Sequence, residues 1–264
     1  MKKWLIGIFI FFTVMLLSAL GVLYVKQESI IFHPDKLSEN FVFSRGEEVE
    51  IEVEDDIFLN GVLIKTKRSK GVVLYLHGNK GTNRRALFQA DNFRNNGYDI
   101  LVLDYRGYGK SDGYIYAEKQ LYQDVQKVYN HLKQSYREDQ IVLIGYSIGT
   151  GMASFLAATN QPQHLVLIAP YLSITAMKDK FVALIPDFLV KYKLDNKSHL
   201  ARATCPVTIF HGTADELIPY QMAEQLEQID NQRITLNLLR GIGHRGIIFN
   251  DFLASEVAKL LGKK

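Results

Sequence analysis

The sequence predicts an α/β fold in which a mostly parallel, twisted sheet carries helices on both faces. Three observations predict it. After Gly71, runs that are apolar on both sides recur at 72–76, 100–103, 141–144, 165–168, 207–210 and 234–239, and strands buried on both faces belong to parallel sheets. Stretches of helical character at 84–95, 117–134, 149–159, 220–228 and 246–261 alternate with them, as βα units require. Glycines and polar residues collect where the strands end, the rim on which such sheets gather their chemistry.

Taken in order, the chain opens on Met1-Lys2-Lys3 and then an uncharged run over 4–25, which is 22 residues. At 1.5 Å per residue it is long enough to cross a hydrocarbon core of about 30 Å. The run reads as one transmembrane helix preceding the fold. A cleaved secretory signal is the competing reading, with Ala19-Leu20-Gly21 as the small-residue site. Val22, Leu23 and Val25 carry the apolar run past that site, which favours an uncleaved anchor. Lys2 and Lys3 keep the N-terminus cytoplasmic, so the rest of the chain is expected on the non-cytoplasmic side, periplasmic, extracellular or lumenal. Cleavage would make it secreted.

Residues 26–44 form a juxtamembrane connector in which His33-Pro34 favours extended or turn backbone. His33 is read there as structural. Residues 45–264 are expected to form the globular α/β domain. Its first feature is period-2 alternation at 49–54, a polar turn at Asp55-Asp56 and a second run at 57–66. That pattern is a hairpin with one wet face, placed at the antiparallel edge of the sheet.

The stretch QIVLIGYSIGTG at 140–151 carries the strongest signal. A strand entering a helix through a turn too tight for side chains needs glycine on both flanks, here Gly145 and Gly149. One hydroxyl, that of Ser147, is left at the apex. A serine becomes a nucleophile only when an imidazole takes its proton, and the imidazole needs an acid to hold it. In this fold the order along the chain is serine, acid, histidine.

Seven histidines compete for the base: His33, His77, His131, His164, His199, His211 and His244. His244 follows the last strand and precedes the last helix in the loop GIGHRG. His77 and His211 each end a strand in an HG pair and read as buried, hydrogen-bonded structural groups. Asp215, in HGTADELIP, ends the strand before that of the histidine and is the expected acid, with Glu216 exposed beside it. Asp179 and Asp187 follow their strand less closely. Asp104 precedes the serine, which breaks the order, and reads as a support for its own glycine-rich loop. Two N–H donors must meet the developing oxyanion. They are expected from Ile148, next to the nucleophile, and from Asn79, in the loop after the first parallel strand.

Together HGN at 77–79, LDYRGYGKSDG at 103–113, GYSIG at 145–149, CPVTIFHGTADELIP at 205–219 and GIGH at 241–244 resemble the α/β-hydrolase superfamily. More narrowly they resemble its membrane-anchored BEM46-like and serine-aminopeptidase-like relatives of the ABHD13 and ABHD17 types. FHPDKL after the anchor fits that group too. The resemblance implies an α/β-hydrolase fold, the triad Ser147, Asp215 and His244, and oxyanion donors at Asn79 and Ile148.

Between Tyr171 and Ala203 the βα rhythm breaks, and a short helical lid is expected over 172–203. Phe181, Leu184, Ile185, Phe188 and Leu189 repeat at helical spacing, with Pro186 able to split the run into two helices. That stripe would pack on the body or line an acyl pocket. Lys178, Lys180, Lys191, Lys193 and Lys197 outnumber Asp179, Asp187 and Asp195 there, a balance suited to an anionic bilayer surface or to ordinary solubility.

The single cysteine, Cys205, excludes an intrachain disulfide and reads as a buried thiol. A net charge of +3 with no long basic run implies no nucleic-acid partner. No ligand-spaced cluster implies a metal or other cofactor. The expected activity is a serine hydrolase that opens small acyl esters, thioesters or lipid-derived substrates through an acyl-enzyme. An amidase or peptidase of the serine aminopeptidase type is the alternative, and a non-catalytic binding module that keeps the fold is the reading from another class. Oligomeric state is not legible in the sequence.

Overall fold

The first element of the computed structural model is α1, Lys2–Val25, a 24-residue helix whose most apolar 18-residue stretch has a mean hydropathy of 2.6 and which buries none of its residues. At 1.5 Å per residue it is about 36 Å long, enough to cross a bilayer. The structure describes residues 2–93, 96–182 and 185–262. The side chains of residues 92, 181 and 182 also lie outside the described set, so of the expected lid stripe Leu184 and the Phe181 side chain are outside it.

The connector holds a short helix that its composition does not announce, α2, Gln27–Ile31. After it, β1, His33–Pro34, pairs in parallel with β5, Lys80–Gly81. Gly109 N–H donates to Asp35 O and Leu37 N–H to Gly109 O. The connector is therefore stitched to the body by backbone hydrogen bonds.

The main sheet has eight strands: β2, Glu47–Glu54; β3, Ile57–Ile64; β4, Val72–Leu76; β6, Asp99–Leu103; β7, Ile141–Tyr146; β8, His164–Ile168; β9, Val207–Gly212; and β10, Ile234–Leu239. Their spatial order is β10-β9-β8-β7-β4-β6-β3-β2. The six strands from β10 to β6 are parallel, and β3 and β2 add on antiparallel. The hairpin thus lies at the expected edge, but only β2 alternates between exposed and buried positions. In β3, Leu59, Asn60, Gly61 and Val62 are all buried, because β3 lies between β2 and β6 with core against both faces: Leu59 joins one hydrophobic cluster and Val62 the other.

Strand alternation sorts the core into those two clusters. Val72, Leu74 and Leu76 of β4 and Ile141 and Leu143 of β7 face the first, while Val73, Tyr75, Val142 and Ile144 face the second. The first is covered by α4, Glu118–Leu132, α5, Gly149–Thr159, and α8, Gln221–Glu227. The second is covered by α3, Asn83–Ala90, and α9, Asp251–Gly262. Each fully buried aliphatic side chain contributes roughly 1.5–3 kcal/mol, so the sheet is held from both sides.

The chain leaves β4 for β6 on one side and then crosses to β7 on the other. Such a reversal opens a crevice at the carboxyl ends of the strands. Here it lies between the loop after β4 and the turn after β7. Over 172–203 the structure has α6, Ile174–Val182, a 3-10 turn at Asp187–Leu189 begun by Pro186, and α7, Asn196–Leu200, capped by Asp195. The described part of α6 ends at Val182, before Pro186, which instead stands at the start of the 3-10 turn. The helical register does not continue beyond it, and Phe188 is 81% exposed instead of joining Leu189 on one stripe.

Candidate active site

The turn after β7 explains its glycines in steric terms. A Cβ at Gly145 would sit 2.7 Å from Gly149 O and 2.9 Å from the Ala153 Cβ, and one at Gly149 only 2.1 Å from Leu76 O. These approaches pack the start of α5 against the end of β4. Between them Ser147 takes φ +54°, a left-handed conformation that costs a non-glycine residue of order 1–2 kcal/mol. Its surroundings hold it there. Ser147 N–H donates to Ile168 O at 2.9 Å, and Ser147 O accepts from both the N–H and the hydroxyl of Thr150, at 3.0 and 2.6 Å.

Asp215, after β9, and His244, after β10, converge on this serine. His244 Nε2 lies 3.1 Å from Ser147 Oγ, and His244 Nδ1 lies 2.7 Å from Asp215 Oδ2. An ionised carboxylate only accepts, so Nδ1 carries the proton and the Nε2 lone pair faces the hydroxyl. Tyr146 holds the imidazole in place. Its ring stacks on His244 with centroids 5.5 Å apart, and its hydroxyl donates to His244 O at 3.1 Å. Burial pushes that phenol up to about 12.

Asp215 is anchored by four donors. Oδ1 accepts from Leu217 N–H at 2.9 Å and Ile218 N–H at 2.8 Å, and Oδ2 is approached by His244 and, at 3.3 Å, by His211 Nε2. Burial raises its carboxyl, but the hydrogen bonds from His211, His244 and Ile218 outweigh that and hold it well below the usual carboxylate range. His211 also lies 2.9 Å from Ile218 O through the same Nε2. Both neighbours accept, so Nε2–H is the donor.

The loop after β4 faces the serine directly. A Cβ at Gly78 would lie 3.5 Å from the Ser147 Cβ. Three side chains fix this loop: His77 Nδ1 donates to Gly78 O at 2.6 Å, Tyr105 OH to His77 O at 2.8 Å and Tyr108 OH to Asn79 O at 2.9 Å. A trans peptide sets its N–H opposite its C=O, so with Gly78 O turned to the His77 ring, the Asn79 N–H points the other way. Ile148 stands at the N-cap of α5, where helical N–H groups have no intrahelical acceptor.

The other sequence candidates fall elsewhere. Asp104 is fully buried outside the Ser147, His244 and Asp215 cluster, accepting from Asn83 N–H at 2.8 Å and facing His77 Nε2 at 3.3 Å. Burial pushes its carboxyl up against the pull of His77 and Asn83. A Cβ at Gly109, φ +51°, would come within 2.0 Å of Asp104 Oδ2, so the glycine makes room for this acid, whose carboxylate, among the described residues, finds its polar partners in Asn83 and His77 and not in its own glycine loop. Asp179 and Asp187 pair with Lys178 in the insertion. Glu216 is exposed, yet its Oε2 accepts from His244 N–H at 3.4 Å. Cys205 is buried, its thiol raised to about 11 by burial. Among the described residues no group of three His, Cys, Asp or Glu side chains is arranged to hold a metal.

Residues 67–200 match the family model described as serine aminopeptidase, S33, which is half of the chain. The chain belongs to this family of α/β-hydrolases. The lysophosphatidylserine lipase ABHD12 of Danio rerio is 28% identical over 195 residues, covering 64% of this chain and 50% of that relative. The Macaca fascicularis protein of the same name is 28% identical over 184 residues, covering 61% and 46%. The chain spans about half the length of these curated relatives. Among solved structures, the Pyrococcus furiosus esterase Pf2001 superposes with a TM-score of 0.69 at 21% identity, covering 88% of this chain and 97% of the esterase. Est1E from Butyrivibrio proteoclasticus superposes at 0.64 and 16% identity, covering 81% and 97%. At those identities the two share the fold.

Sequence reading left His211 as a structural group and did not see that it reaches Asp215. The signal was available, since His211 and Asp215 are four residues apart across the strand end. The tyrosines that pin the loop after β4 carried no such signal, because Tyr105 and Tyr108 belong to a segment more than twenty residues downstream.

Proposed function

We propose that this membrane-anchored α/β-hydrolase cleaves acyl esters or thioesters of lipid origin, with Ser147 as nucleophile, His244 as general base and Asp215 as its supporting acid. The observation that carries the reading is the unbroken relay from Asp215 Oδ2 to His244 at 2.7 Å and from His244 to Ser147 Oγ at 3.1 Å. In this reading Ser147 Oγ attacks the acyl carbonyl carbon as its proton passes to His244 Nε2. Asp215 stabilises the imidazolium, and the Asn79 and Ile148 N–H groups receive the negative charge on the carbonyl oxygen. Each such donor contributes roughly 3 kcal/mol to the transition state. Collapse expels the leaving group with the His244 proton. Water, deprotonated by His244, then hydrolyses the acyl-serine.

Lipid origin is supported by the apolar α1 helix and by the likeness to lysophosphatidylserine lipases. The peptidase named in the family description favours a second reading, an amidase or aminopeptidase at the same serine. The expected topology has Lys2 and Lys3 in the cytoplasm and the hydrolase body on the far side.

Fluorophosphonate labelling of wild type beside Ser147→Ala tests the nucleophile, followed by p-nitrophenyl esters of increasing chain length and aminoacyl p-nitroanilides. Label is expected on wild type alone, with ester turnover falling about 10⁶-fold in the variant. Anilide turnover exceeding that of esters would put the peptidase reading first. Equal turnover by Ser147→Ala would remove Ser147 from the chemistry, and an unlabelled, inactive wild type would favour the binding module.

A further inference from the structure

The membrane helix does not end free of the body. Gln27 of α2 is buried, its Nε2 donating to Leu189 O at 2.6 Å and its Oε1 accepting from Lys191 N–H at 2.9 Å. Glu28 accepts from Lys191 Nζ and the Tyr192 hydroxyl, both at 3.0 Å. Its carboxyl is raised by burial, but its own backbone hydrogen bond, Lys191 and Tyr192 outweigh this and hold it below its ordinary value. The base of the anchor is thus pinned to 189–192, and a half-open apolar groove of about 240 Å³ lies between them.

The cavity has two distinct ends. At one end are Leu20 and Leu23 of α1, half-buried on a helix whose other apolar residues, Leu16, Leu17 and Val22 among them, are exposed. At the other end is Ile31, whose carbonyl accepts from Asn79 Nδ2 at 3.3 Å. The cavity therefore runs from the last turns of α1 to Ile31, a residue hydrogen-bonded to the loop that faces Ser147. Met177 and Leu189 form the opposite wall. The polar ends of Gln27 and Lys178 are taken up elsewhere, Lys178 Nζ reaching Ile185 O and Asp187 at 2.7 Å. The lining offers hydrocarbon.

We infer that this groove holds one acyl chain of a bilayer lipid, admitted from the hydrocarbon core along Leu20 and Leu23 and directed toward the Asn79 loop. A volume of about 240 Å³ is below the roughly 300–1,000 Å³ of pockets that enclose compact ligands, and it suits a single flexible chain. Eleven residues separate Leu20 from Ile31, about 16 Å of helical rise, so the occupant is long and narrow. Because α1 is apolar on every side and the groove opens at its last turns, the solvent on that side is lipid, which selects a lipid chain over a peptide. The inference rests on the proposed lipid substrate and names the path its chain takes.

The test uses the full chain as Ser147→Ala, so that occupancy is measured without turnover. It is reconstituted in phosphatidylcholine vesicles carrying a trace of phosphatidylcholine with a diazirine at the end of one acyl chain. After irradiation, adducts are mapped by peptide mass spectrometry. Adducts are expected on Ile31, Met177 or Leu189, beyond those that any spanning helix acquires at Phe9 or Leu16. Met177→Trp and Leu189→Trp, introduced separately, should lower the groove adducts at least about tenfold, the equivalent of excluding two or so buried methylenes. The Phe9 and Leu16 adducts serve as the reference for insertion.

Adducts confined to α1, or groove adducts untouched by both tryptophans, would overturn the inference. Should both variants misfold, the adduct map of Ser147→Ala alone decides. Groove adducts with an inactive wild type would keep the groove and sink the hydrolase reading. An active wild type lacking groove adducts would sink the groove alone.

Discussion

His211 and Asp215 show how much of the site depends on single hydrogen bonds. Asp215 is depressed in the folded state, so its contribution to stability is fully present above the unfolded value of about 3.9 and is lost as pH falls through the folded one. His211→Phe removes one donor to Asp215 Oδ2. The carboxylate is then a stronger partner for His244, and the acidic limb of a kcat/KM profile should move up by roughly half a pH unit. The stability gap between wild type and variant should be constant from neutral pH down past the unfolded value of about 3.9, and narrow only as pH falls through the folded values, where the variant's carboxylate takes its proton first. Urea melts at several pH values check the second point. A gap that widened in acid, or an unmoved limb, would remove His211 from the relay.

Elements meet at the loop after β6, where Arg106 makes a paired hydrogen bond to Asp124 of α4, at 2.7 and 2.9 Å, and reaches Glu54 of β2 at 2.8 Å. Burial raises the Asp124 carboxyl and the Arg106 pair draws it back. This cluster joins α4, the sheet edge and the segment whose Tyr105 and Tyr108 pin the Asn79 loop. Removing one partner of a buried pair costs about 3–5 kcal/mol, because the other charge is left uncompensated. Asp124→Asn should fall at the lower end, since Glu54 still faces the guanidinium. Arg106→Met with Asp124→Leu should recover most of the loss, as paired removal is often neutral. Denaturant melts of the single and double variants measure it, and a double variant less stable than Asp124→Asn would refute the account.

At the scale of the whole molecule, the positive-inside expectation becomes testable through the single cysteine. Cys205 is buried, so Cys205→Ala gives a background without thiols, and Tyr114→Cys places one at a site 72% exposed on the body. In intact, oriented vesicles a membrane-impermeant maleimide should label that thiol only from the side opposite Lys2 and Lys3. Labelling from the lysine side would invert the topology. Either result leaves the fold of the body unchanged, since no residue of α1 is fully buried.

The sequence by itself determined the parallel sheet, the edge hairpin, the tight turn at Ser147 and the order in which serine, acid and histidine follow. Each rests on local chemistry: side-chain alternation, glycine where no Cβ fits, and strand ends that share one rim. Only the tertiary structure decided that β3 is buried on both faces, that Phe188 turns outward, that His211 and His244 share one carboxylate oxygen, and that Gln27 and Glu28 fasten the base of the N-terminal helix to 189–192. Those outcomes depend on which segments distant in the chain come to lie side by side, and periodicity within a segment carries no information about its neighbours.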